Sequence, residues 1–183
     1  TAGGTENVAI GNYAMDAHTS GDQNTAVGMN AMGGNTTGGN NTAVGRSSLF
    51  VNSTGGDNTA VGRNALNQNT TASNNTAVGS SALDANTTGD ANVAVGFQSM
   101  ITNSTGADNT AIGKESLKAN TTGTNNTALG RQALFSNTTG ASNVAVGLNS
   151  LKSNTTGTRN IAIGQSSYQN SDTENDNLAI GYN

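Results

Sequence analysis

The sequence has no cysteine, no proline and no tryptophan, and only 3% of its 183 residues are aromatic. Without cysteine, neither a disulfide framework nor a thiolate metal site can form, so order has to come from packing and hydrogen bonds. Charge is scarce as well: seven Lys and Arg are dispersed among eleven acids, for a net charge of −4. That leaves no basic stripe to follow phosphates and excludes nucleic acid as a partner. No apolar run approaches the roughly 20 residues that cross a bilayer, and the first residues show no basic flank leading into an apolar stretch. The dipeptides Asn-Gly and Asp-Gly are missing too, despite abundant Asn, Asp and Gly, so tight two-residue hairpins are not encoded. Low hydrophobicity alone would suit a disordered chain, but high net charge and proline, its usual companions, are lacking.

What the chain does have is a period. Asn7, Asn24, Asn41, Asn58, Asn75, Asn92, Asn109, Asn126, Asn143, Asn160 and Asn177 are each seventeen residues apart, with no insertion. A fixed period of this length is the mark of a stacked repeat architecture. Each of these Asn residues opens a segment Asn-X-Ala-aliphatic-Gly, and the typical unit reads N-T-A-V-G-x-x-A/S-L-x-x-N-T-T-G-x-x. The reading is a mainly β fold: a parallel β-solenoid of about eleven 17-residue coils, stacked at about 4.8 Å to a length of roughly 50 Å. The array divides into a partial coil at 1–6, ten full coils at 7–176 and a partial coil at 177–183. It carries no atypical capping units, so it is expected either to belong to a longer fibre or to join end to end.

Within a unit, counted from the Asn, positions 1 to 4 read as one short strand. Position 4 is always Val, Ile or Leu and is expected to face the core together with position 2. Position 3, always Ala, would then form a flat outer strip that another chain could approach closely. Positions 5, 8, 9 and 12, such as Gly62, Ala65, Leu66 and Asn69, have the i, i+3, i+4, i+7 spacing of a helical face. They predict a short helical or 3-10 turn; the alternative is a second strand, giving two-stranded β-roll coils. Positions 12 to 15, Asn-Thr-Thr-Gly in most coils, read as a turn in which Gly supplies a positive φ. The variable positions 6, 7, 10, 11, 16 and 17 face solvent.

No arrangement of nucleophile, base and acid, no phosphate-binding glycine loop and no paired carboxylates can be read from the spacing, so neither an enzyme nor a cofactor is expected. His18, the single histidine, stands at a turn position that Asn usually holds and has no clustered partner, which favours a structural role. Asp172, Glu174 and Asp176 offer alternating carboxylates for calcium, without the glycine or full loop of an EF-hand, so a solvated acidic turn is the preferred reading. Asn35, Asn52, Asn69, Asn86, Asn103, Asn120, Asn137 and Asn154 match the N-glycosylation pattern once per coil, although turn chemistry already accounts for them. Met29, Phe97 and Leu148 at position 6, and Phe50, Ile101 and Phe135 at position 10, are apolar residues at variable sites. They are candidates either for lateral contacts or for cover over the coil edge.

The segments Asn58-Thr-Ala-Val-Gly62 and Asn69-Thr-Thr-Ala72, with close variants in every coil, resemble the repeats of bacterial and phage tail-fibre-like proteins. More distantly they are similar to the head repeats of trimeric autotransporter adhesins, whose repeat is shorter. The resemblance covers essentially the whole chain. It implies a surface-exposed, homotrimer-like solenoid, extracellular or on a cell or virion surface, that projects or adheres. The leading expectation is therefore a structural and adhesive fibre or filament segment that self-associates laterally or end to end, with a cell-surface or glycan ligand within reach. Two alternatives stand beside it. If positions 2 and 4 faced outward, Thr and Val ladders would form a flat face able to order water, as ice binding requires; a carbohydrate-binding shaft would use positions 6 and 10.

Overall fold

The structure, a computed structural model, describes residues 3–170 and 172–182. Each repeat contributes one three-residue strand: β1 (Val8–Ile10), β2 (Thr25–Val27), β3 (Thr42–Val44), β4 (Thr59–Val61), β5 (Thr76–Val78), β6 (Val93–Val95), β7 (Thr110–Ile112), β8 (Thr127–Leu129), β9 (Val144–Val146), β10 (Ile161–Ile163) and β11 (Leu178–Ile180). The strands form one parallel sheet in sequence order. Equivalent residues lie above one another, as in Thr59 beside Thr76, Ala60 beside Ala77 and Val61 beside Val78. The chain is thus a β-solenoid whose period of seventeen fixes the register of every strand.

The rest of the coil is not helical. Within the coil only isolated turn bonds form, Ala65 N–H to the Gly62 carbonyl at 3.3 Å and Asn69 N–H to that of Leu66 at 3.4 Å, while the intervening amides reach the next coil: Leu66 N–H donates to the Ala82 carbonyl at 2.9 Å and Gln68 N–H to that of Asp84 at 2.9 Å. What gives positions 5, 8, 9 and 12 their helix-like spacing is a run of turns containing left-handed residues. Positions 7 and 9 have positive φ throughout, as at Asn64 (57°) and Leu66 (51°), and so does position 17, as at Asp57 (57°). Each such residue costs about 1–2 kcal/mol for a side chain larger than glycine, so the inter-coil ladder and the buried position 9 must outweigh that strain. A second strand, the other expectation for this segment, is also not formed; strand pairing is confined to positions 2 to 4.

The interior reverses the expected orientation of the strand. Ala at position 3 points inward and is fully buried in β2 through β10, while positions 2 and 4 point out. The reason is thickness. Position 9 (Met32, Leu49, Leu66, Leu83 and their equivalents) is completely enclosed, and the Ala of the strand joins it in one continuous core with the small position 8. Only one large side chain per coil fits between the strand and the turns that face it, so the strand can offer nothing bulkier than a methyl group.

Asparagine fills the polar remainder of the interior in two ladders, one at position 1 along the whole stack and one at position 12 from Asn35 to Asn154. At position 1, the Asn24 Oδ1 accepts from the Asn41 amide N–H at 2.9 Å. At position 12, Asn52 Nδ2 donates to Asn35 Oδ1 at 2.7 Å. Both ladders converge on position 15, where Asn41 Nδ2 and Asn52 Nδ2 each donate to the Gly55 carbonyl at 2.9 Å. This corrects the role of that glycine. Its φ is not positive; glycine is favoured because a Cβ on Gly55 would crowd the Ala72 carbonyl and stand 2.6 Å from Asn52 Oδ1, a crowding that Ala72 and Glu174 accommodate at the same position of their own coils. The positive φ belongs to position 5, where it ranges from 126° to 137° in all eleven strands.

Candidate functional site: an exposed threonine and aliphatic face

Turning Ala inward exposes the rest of the strand. Position 2 supplies Thr in β2 to β5, β7 and β8, and Val, Ile or Leu in the other five strands; position 4 supplies an aliphatic residue in all eleven. The position 4 side chains are 36% to 44% exposed in β3, β4, β5, β7 and β8. They stand in an unbroken column along one flat side of the rod. By strand spacing the column is about 48 Å long. Aliphatic side chains repeated in register on a flat sheet are a surface prepared for contact.

Position 6 borders this face. Met29, Phe97 and Leu148 occupy it in the three coils where position 4 (Val27, Val95, Val146) is half-buried rather than exposed. Their side chains shade the neighbouring valines and extend the apolar surface. Arg46, Arg63, Lys114 and Arg131 hold the same position in other coils and are exposed. Lys114 lies over the Phe97 ring at 5.8 Å, a cation–π contact along the ladder.

The other border, positions 16 and 17, is acidic. Asp22 accepts from Thr5 N–H at 2.7 Å and Thr5 Oγ1 at 3.0 Å, and these bonds hold its carboxyl below the usual carboxylate range. Asp90 likewise accepts from Ser73 N–H. Asp57 and Asp108 are exposed and, among the described residues, their carboxylates have no partner. The single cation on this border, Arg159, is spent on a two-pronged pair with Asp176 at 2.6 and 2.8 Å, which lowers the Asp176 pKa and raises that of Arg159.

The position 10 candidates lie away from the face. The Phe135 ring is held between Lys118 and Lys152, at 5.4 and 5.8 Å, within its own ladder. Phe50 covers Gly33, where a Cβ would come within 2.8 Å of the ring. Ile101 is half-buried. These three cover the coil edge.

The glycosylation candidates are interior. Asn35, Asn52, Asn69, Asn86, Asn103, Asn120, Asn137 and Asn154 are all fully buried. Their Nδ2 atoms donate to position 15 carbonyls, as Asn86 does to Gly89 and Asn120 to Gly123, so the folded coil has no room for a glycan there. His18 replaces Asn in this ladder and is buried, with Nδ1 at 3.3 Å from Asn35 Nδ2 and Nε2 at 3.3 Å from Asn7 Nδ2.

The carboxylates of the acidic turn are taken up by protein partners. Asp172 Oδ1 accepts from Thr155 Oγ1, Glu174 Oε2 accepts from the Asp172 and Thr173 amides, and Asp176 is bound to Arg159. Among the described residues, no three His, Cys, Asp or Glu side chains come together to hold an ion. Ser171, which opens this turn, lies outside the described residues. A cavity of about 400 Å³ lies at β11, lined by Ser167, Tyr168 and residues 178–182.

Sequence reasoning missed the face because it treated invariant aliphatic residues as core. The signal that could have found it is the invariant Ala between them: a coil that admits only a methyl group at its strand has to turn the larger neighbours outward. No family model matches the chain, and no curated protein or solved structure matches it either.

Proposed function

We propose that the chain is a structural and adhesive segment of an extracellular fibre, without catalysis, that works by lateral association of copies through the Thr and aliphatic face. One observation carries this reading: the fold leaves an aliphatic side chain at position 4 exposed in strand after strand. A monomeric rod gains nothing from eleven such residues in water. Across the seven residues from position 17 to position 6 the face is roughly 18 Å wide, which with its length gives roughly 850 Å², the area one partner contributes to a standard interface.

The outward Thr and Val ladders are also what an ice-binding face would need, so that reading has an observation of its own. Composition favours association. Position 4 never carries Thr, the position 2 Thr ladder is broken at Val93, Val144 and Ile161, and Phe97 and Leu148 rise at the border. The test is sedimentation of the whole chain together with electron microscopy. Side-by-side oligomers are expected, and Val61→Glu with Val78→Glu is expected to give folded monomers with an unchanged far-UV spectrum. A parent chain that stays monomeric at high micromolar concentration, or one with clear thermal hysteresis, would overturn the proposal.

A further inference from the structure

The face is dipolar across its width. Four of the seven cations (Arg46, Arg63, Lys114 and Arg131) stand at position 6, and six of the eleven acids stand at positions 16 and 17. Position 6 carries no acid in any coil, and within the rod the two borders are held apart by the strand and the glycine corner. Among the described residues, Arg46, Arg63 and Arg131 form no ion pair; Asp84 lies near enough to Arg63 to feel its charge without pairing.

We infer that copies of the chain associate face to face in parallel and in coil register, the position 6 border of one copy lying along the position 17 border of the next. This rests on the lateral association proposed above and specifies its geometry. When a second copy is related by rotation about an axis along the rod, each basic border meets an acidic one. When the copies run antiparallel, basic meets basic and acidic meets acidic, which like-charge repulsion disfavours. A closed rotational assembly also allows no axial shift.

With no shift the charges fall at matching heights. Arg63 and Asp57 flank the same strand, β4, and Lys114 and Asp108 flank β7. Arg46 and Arg131 lie one coil, about 4.8 Å, from those same two levels. Where the basic border turns apolar, the facing residue at position 17 is small and uncharged, Ala91 for Phe97 and Ser142 for Leu148, while Asp90 beside Ala91 is bonded to Ser73 within its own rod.

A second pattern points the same way. All four position 6 cations occur in coils whose position 2 is Thr, while Phe97 and Leu148 occur in coils whose position 2 is Val93 and Val144; Met29 with Thr25, Asn12 with Val8 and Gln165 with Ile161 are the exceptions. In one rod positions 2 and 6 sit at opposite ends of the strand. Between parallel copies the position 6 border is carried to the half of the partner's face on which position 2 lies, so polar sits nearer polar and apolar nearer apolar.

The absence of native cysteine makes the test clean. A chain carrying Asp57→Cys and Arg63→Cys, mildly oxidised, is expected to form disulfide-linked oligomers. A disulfide within one copy is excluded, because its Cα atoms must come within about 7 Å and the five residues between these two, 58–62, run through the strand and the glycine corner. A chain carrying Arg63→Cys and Arg131→Cys, which an antiparallel pair would bring together, is expected not to link. In the cysteine-free chain, Arg63→Asp should weaken association by about tenfold at low salt, and adding Asp57→Arg should restore it. Oligomers that form while the first pair fails to link, linking of the second pair, or a charge swap that does not rescue would each overturn the parallel register while leaving association standing. A parent chain that does not associate would overturn both.

Discussion

Two glycine-to-alanine substitutions within a few residues of each other should have opposite outcomes. Gly62, at position 5, has φ of +136°, and a Cβ there would stand 2.5 Å from the Gly79 carbonyl oxygen in the coil above. An L residue in that backbone region costs on the order of 1–3 kcal/mol before any contact is counted. The clash adds to this, because the Gly79 oxygen must move by several tenths of an ångström while it accepts the Ala82 N–H at 3.3 Å. Gly62→Ala should therefore destabilise by about 3 kcal/mol or more. Gly56, at position 16, has no positive φ; its Cβ would meet only the Gly39 carbonyl at 3.2 Å, and other coils already place Ala107 and Ala141 there. Gly56→Ala should lie within about 0.5 kcal/mol of the parent or gain a few tenths from a less flexible unfolded chain. Urea denaturation followed by circular dichroism, at fixed protein concentration so that association contributes equally, reads both. Equal midpoints for the two variants would refute the argument that position 5 is set by close approach between coils.

Three further outcomes follow from particular side chains. His18→Asn should stabilise by about 1 kcal/mol, because both ring nitrogens face an Asn Nδ2 donor and an imidazole accepts at one nitrogen at most, whereas Asn would restore the carbonyl acceptor that Asn35 Nδ2 needs; an equal or lower melting temperature would sink this account. Leu66→Asp with Leu83→Asp, two fully buried neighbours in the position 9 column, should cost more than about 4 kcal/mol and abolish the cooperative melt. Asp84 has its pKa raised by burial, with Ser81 and Arg63 pulling the other way. A carboxyl raised in the folded state stabilises when protonated and loses that contribution as pH rises through its folded value, so Asp84→Asn should gain under about 1 kcal/mol at pH 7 and nothing near pH 3. A gain that persists at pH 3 would contradict the burial argument.

Much of this architecture is legible in the sequence because the period is strict. Eleven Asn residues at a spacing of seventeen are enough to call the coils, the parallel register and the buried position 9. What misled was scale. Val61 and its equivalents look like core by hydropathy, yet a coil closing around one Leu has room at the strand only for Ala60, and hydropathy carries no information about interior width. The helical reading failed for a related reason. Ala65, Leu66 and Asn69 repeat at three and four residues, but left-handed residues at Asn64 and Leu66 produce the same inward set from turns, and nothing in a leucine announces a positive φ. The face was hidden behind the first of these errors, and its two charged borders become visible only once positions 6 and 17 are placed on either side of the strand.

Every coil hands the next the same set of ladder groups, and that makes rod length a countable quantity. Removing or adding any seventeen consecutive residues in the middle of the array restores Asn above Asn, Ala above Ala and Leu above Leu, and changes the reach by about 4.8 Å. The interior does not register the edit, whereas the border sequence at positions 6 and 17 does, since each coil there has its own charge. A stack built this way can be lengthened or shortened by unequal exchange between repeats without refolding anything, while copies of different length no longer match along their edges. Length and partner choice are thereby written in the same seventeen-residue unit.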